Sequence, residues 1–178
     1  MAIIRCYEER DAKSVGILIA DTYSRYNLSF VPPEELGRFL GPFHYAGSQE
    51  DAHREAIARA IRSEMVYVTE DGGEVGGVLR GSRERPASLF VRGDHHRQGI
   101  GRQLVERFIR DSRCQGVRVI RVAATTYAVP FYLAMGFSRS TGVRTGWSFE
   151  GRGLTVQSMR KVLGGTDRSN PDQGRPKH

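Results

Sequence analysis

Phe90-Val91-Arg92-Gly93-Asp94-His95-His96-Arg97-Gln98-Gly99-Ile100-Gly101-Arg102-Gln103-Leu104 reads as a short apolar strand, a basic loop, and two glycines that open a helix. The first amides of a helix have no partner inside it, and the helix dipole makes that end positive. Glycine keeps side chains away from an approaching anion. The arrangement is a phosphate cradle, and the ligand it implies is anionic and nucleotide-like.

The common dinucleotide and nucleotide loops do not fit. A third glycine of a G-x-G-x-x-G run would fall on Leu104, and a Walker loop would need Lys-Ser/Thr where Arg102-Gln103 stand. The helix itself is strongly patterned. Ile100, Leu104, Val105, Phe108 and Ile109 form one apolar stripe, with Arg102, Glu106 and Arg110 on the remaining surface. Gly116 ends the helix, and Val117–Ala124 reads as the next strand.

Beyond that strand lies Ala128-Val129-Pro130-Phe131-Tyr132-Leu133-Ala134-Met135-Gly136-Phe137. Pro130 suits the first turn of a short helix and Gly136 its exit. The two segments together resemble the GNAT superfamily of acyl-CoA N-acyltransferases: an R/Q-x-x-G-x-G/A loop with its helix, a strand, then an A-x-x-F-Y-x-x-x-G-F helix. The resemblance spans roughly residues 66–163.

This resemblance implies an acetyl-CoA-dependent N-acetyltransferase in which the amine attacks the thioester directly in a ternary complex. It implies that Phe90 and Val91 hold the pantetheine arm by strand-like bonds, and a backbone N–H there would polarise the thioester carbonyl. His96, Arg97, Gln98, Gly99, Ile100, Gly101 and Arg102 would hold the diphosphate, and Tyr132 would protonate the CoA thiolate. Two positions depart from the family pattern. His96 replaces the usual Arg or Gln, and Ala123 stands where the family often has the Asn that contacts the pantetheine; Thr125 keeps a hydroxyl at the following site.

The remaining sequence bounds the architecture. The 178 residues suit one domain over 1–163, followed by a polar, disordered tail over 164–178 that contains no aliphatic or aromatic residue. No run approaches the roughly 18 apolar residues of a membrane span, and the N-terminus lacks signal-peptide architecture, so a cytoplasmic location is expected. Cys6 and Cys114 make neither a disulfide framework nor a metal spacing, and read as buried or half-buried free thiols. No metal is expected, since adjacent His95 and His96 lack chelating partners.

The net charge of +7 raises nucleic acid as a partner. The basic residues nevertheless gather around the cradle, and aromatics do not interleave with them.

The element order is a strand over 2–8, a helix from an Asp11 N-cap to about Tyr23, a long irregular stretch over 24–47, and a helix after a Ser48/Asp51 capping-box spacing. Strands at 65–70 and 74–80 follow, joined by Asp71-Gly72-Gly73. After these come a strand at 87–91, the cradle helix, and a final antiparallel pair over 141–149 and 154–163. This order is an α/β (α+β) fold: a central mixed sheet of six or seven strands, mostly antiparallel, with helices on both faces. The resemblance adds that the fourth and fifth strands splay apart.

For the base, Glu70, Glu74 and His44 are candidates, as is water alone. Tyr23, Tyr26, Phe30, Phe39, Phe43, Tyr45 and Trp147 are candidate walls for a small-molecule or peptide amine acceptor. A non-catalytic CoA-binding regulator and a basic nucleic-acid-binding module are the alternatives. The last strand pair could form a homodimer seam.

Overall fold

The computed structural model describes residues 2–164. The expected tail therefore falls, from residue 165 onward, outside the described residues. Among the described residues seven strands form two sheets. One has the order β1-β2-β3-β4 (Ile3–Cys6, Met65–Asp71, Glu74–Ser82, Arg85–Val91), the other β5-β7-β6 (Val119–Thr125, Arg152–Val162, Ser138–Trp147). Every ladder is antiparallel, rather than mixed within one sheet.

No ladder joins β4 to β5. A single Arg121 N–H to Glu84 C=O bond of 2.9 Å ties their starting ends, and a cavity separates them beyond it. The splay thus parts the two sheets everywhere beyond that one bond.

Helix α1 (Ala12–Tyr26) and α3 (Asp51–Ile61) cover one face, where Val15, Ile19, Ile57 and Ile61 meet Val68, Val78 and Phe90. The other face belongs to α4 (Ile100–Cys114), whose Leu104, Val105 and Phe108 pack on Tyr67, Leu79, Ile120 and Val122. Alternation along β3 produces this division: Val78 points to α1 and Leu79 to α4. The β2–β3 hairpin turns at Gly72 and Gly73, with φ of 59° and 85°, values that only glycine adopts without strain.

Several local expectations are corrected. Asp11 stands at the start of α1 but does not cap it. Its carboxylate accepts the Glu8 N–H at 2.8 Å and both Nη atoms of Arg5 at 2.7 and 2.9 Å. The Ser48/Asp51 box is likewise not formed: Glu50 takes the N-cap position, and the Ser48 hydroxyl accepts the Glu50 N–H instead.

The stretch 24–47 is not irregular throughout. It contains 3-10 turns at Pro33–Glu35 and Gly41–Tyr45 around a short helix α2 (Leu36–Leu40), and buries Phe39 and Phe43 in the core. Cys6 and Cys114 are free but exposed, because each lies at the end of its element. Among the described residues no helix is long and apolar enough to cross a membrane, and no group of three His, Cys, Asp or Glu residues is placed to hold a metal.

Candidate active site

A cavity of about 1100 Å³ fills the break between β4 and β5. The cradle opens into it from the α4 side. Arg97 has φ 63° and Gly99 φ 80°, so two residues in the left-handed region lie one apart and curl the chain around its own amides. The first helical bond runs from Gln103 N–H to the Gly99 carbonyl, and no side chain caps the helix. The amides of Ile100, Gly101 and Arg102 are therefore left for a ligand.

A Cβ at Gly101 would sit 3.4 Å from the Phe131 ring, close to ordinary contact. Packing alone does not demand a glycine here. Arg97, Gln98 and Gly99 are exposed, and Arg97, Gly99 and Arg102 line the cavity. Gln98 does not line it: its amide donates back to the Asp94 carbonyl at 2.9 Å.

His96 stands in the cavity wall and is tied to the strand. Its Nε2 lies 2.7 Å from the Val91 carbonyl, an acceptor, so Nε2 is the donor of that bond. Phe90 lines the cavity, and its main chain is the inner, paired side of the strand. The Arg92 N–H bonds the Gly76 carbonyl, opposite in register, and antiparallel bonding alternates, so Phe90 is bonded to Val78 and its neighbours Leu89 and Val91 present the free edge to the cleft. The Phe90 ring packs edge-on to Tyr23 at 5.2 Å.

Tyr132 sits on α5 (Val129–Ala134) in the opposite wall and is 6% exposed. Its position is well determined. The Phe137 N–H bonds the Tyr132 carbonyl and the Gly136 N–H bonds that of Leu133, both at 3.0 Å, while Gly136 takes φ 80°. The phenol ring is held between Phe131 and Phe137 at centroid distances of 5.1 and 5.2 Å. Burial raises its pKa above the usual tyrosine range, so the hydroxyl keeps its proton at neutral pH.

Sequence reading missed a clasp across the cleft mouth. Thr125 Oγ1 donates to Asn27 Oδ1 at 2.8 Å, joining the end of β5 to the end of α1. One residue earlier, the Tyr26 ring lies 4.7 Å from His96 and 5.7 Å from Tyr127. No local signal announces contacts between segments so far apart in the chain.

The candidate bases stand elsewhere. Glu70 pairs with Arg5 at 2.6 Å and Glu74 with Arg92 at 2.8 Å; neither lines the cavity, and nor does His44. No Asp or Glu lines it among the described residues, whereas Arg80, Arg85, Arg97, Arg102 and Arg144 do. Of the aromatic candidates, Tyr23, Tyr26 and Trp147 reach the cavity, Phe39 and Phe43 belong to the core, and Phe30 and Tyr45 are exposed. Phe149, not singled out from the sequence, also lines it.

Comparison with solved structures finds the same fold at low identity. A GCN5-related N-acetyltransferase of Rhodopseudomonas palustris matches with a TM-score of 0.72 and 16% identity, covering 92% of this chain and 96% of the other. The PaiA N-acetyltransferase of Thermoplasma acidophilum, solved with coenzyme A, gives 0.69 and 12%, covering 92% and 99%. YncA of Salmonella typhimurium, a putative acetyltransferase solved with acetyl-CoA, gives 0.60 and 21%, covering 97% and 98%. A comparison with curated protein sequences finds no significant match. The model of the acetyltransferase (GNAT) domain matches residues 31–163, well over half of the sequence and further toward the N-terminus than the two motifs alone reach, and this chain belongs to that family.

Proposed function

We propose that this protein is an acetyl-CoA-dependent N-acetyltransferase acting on a small-molecule or peptide amine by direct attack in a ternary complex. One observation carries the reading: the uncapped amides of α4 and the side chain of Tyr132 meet a single cavity between two parted strands. Solved relatives of this fold that hold coenzyme A or acetyl-CoA support it.

The residues fit the cofactor. The amides of Ile100, Gly101 and Arg102, with the Arg97 and Arg102 guanidinium groups and the His96 ring, make an anion-binding mouth for its diphosphate. The Leu89–Val91 edge offers strand-type bonds to an amide-bearing arm. Acetyl-CoA supplies the activated acetyl thioester. A free edge N–H of β4 polarises its carbonyl oxygen, and the Tyr132 hydroxyl gives its proton to the departing sulfur.

No carboxylate is needed to deprotonate the acceptor. The five arginines lining the cavity disfavour an ammonium there, and water carries the proton out.

The test combines two measurements. Coenzyme A at about 100 times its Kd should stabilise the fold by about 2.7 kcal/mol, read as a rise in melting temperature. Acetyl-CoA with an amine panel should release free thiol. No shift with coenzyme A would defeat the reading; a shift with no thiol release from any amine class would make the protein a non-catalytic coenzyme A binder.

A further inference from the structure

The wall of the cleft opposite α4 contains an arginine with no carboxylate to balance it. Arg80 on β3 shares the α1-facing side of the sheet with Val78, as Ser88 on β4 does with Phe90. Its Nη1 donates to Ser88 Oγ at 3.3 Å, and its guanidinium lies 5.7 Å over the Phe149 ring. Among the described residues its buried Nε has no partner and Nη2 makes no hydrogen bond.

The contrast with Arg5 is direct, since that arginine, also largely buried, is bonded to both Asp11 and Glu70. Desolvation lowers the pKa of Arg80, with no neighbouring charge acting on it, but a guanidinium starts so high that it stays protonated. A desolvated cation is tolerated when something pairs with it. The Phe149 face supplies part of that compensation and supplies no acceptor for Nε or Nη2.

The cofactor's phosphates are not the missing partner. They belong at the α4 N-terminus, whereas Arg80 is on the α1-facing side, against the Phe149 ring that in turn meets Tyr23. Nε is closed off from the cavity, whereas Nη2 is open to it and can donate to a carboxylate oxygen.

Resting on the acetyltransferase reading, we propose that the acceptor is an amino-carboxylate with an aromatic or apolar side chain, whose carboxylate binds Arg80 while the amine faces the thioester. The Tyr23, Trp147 and Phe149 rings would flank that side chain.

The experiment uses matched triplets: phenylalanine, its amide and phenethylamine, with the corresponding leucine and methionine sets. Thiol release is read on the full-length protein, and binding of the N-acetyl acids against the N-acetyl amides is read by calorimetry with coenzyme A present. The acids should exceed their carboxylate-free twins by about 30-fold or more in kcat/KM or in affinity. Arg80→Gln should abolish that preference, and Arg80→Lys should restore only part of it.

The melting shift with coenzyme A, retained in both variants, shows that they fold. Thiol release without preference for acids, or N-acetyl acids binding no better than amides, would overturn this proposal alone. No melting shift with coenzyme A would overturn the acetyltransferase reading instead.

Discussion

The two walls of the cleft are built from different material. On the α4 side, the groups offered to an anion in the proposed reading are consecutive main-chain amides, Ile100 to Arg102, at a helix start that no side chain caps. On the α1 side the functional groups are side chains from distant segments: Tyr23 from α1, Arg80 and Ser88 from the β3–β4 hairpin, Phe149 from the β6–β7 turn. A main-chain site tolerates exchange of its side chains. A side-chain site changes with each replacement. The difference teaches where shared chemistry and private specificity reside, and it agrees with a fold retained at 12 to 21% identity.

The strongest challenge to this division is Tyr132→Phe. Removing the hydroxyl should lower turnover by about 100-fold or more while leaving the KM for acetyl-CoA nearly unchanged, in steady-state assays. Equal loss in both parameters would mean that the phenol holds the cofactor rather than protonating the sulfur.

The α1 side should also be the acid-sensitive one. Bonding to Arg5 holds the Asp11 carboxyl below its ordinary range. A depressed pKa gives stability that is present above the unfolded value of about 3.9 and lost as pH falls through the lower folded value. Asp11→Asn should therefore cost about 2 kcal/mol at neutral pH and flatten the acid limb in denaturant titrations. The coenzyme A shift at the cradle should survive; its disappearance would show that the two walls are not independent.

Gly101→Asp sharpens the comparison from the other wall. An acidic residue in the first turn suits the helix dipole, so the free protein should melt at the same temperature or slightly higher. The same charge opposes a diphosphate, and coenzyme A affinity should fall by about tenfold or more by calorimetry.

The smallest effect is expected at the mouth. Thr125→Val deletes the bond to Asn27 and should cost no more than about 1 kcal/mol, with the KM for acetyl-CoA within about threefold of the parent. A larger rise in KM would assign the hydroxyl to the pantetheine arm instead of to the clasp.

The sequence by itself determined what depends on neighbours along the chain. The cradle, the apolar stripe of α4, the Gly72-Gly73 hairpin and the Pro130–Gly136 helix were legible because glycine, proline and helical spacing act over a few residues.

Only the tertiary structure decided that Asp11 serves Arg5 rather than its own helix, that Glu70 and Glu74 are consumed in ion pairs, and that Asn27 reaches Thr125. Each outcome turns on which partner lies within about 3 Å after the chain has folded. Local sequence supplies donors and acceptors; packing chooses among them.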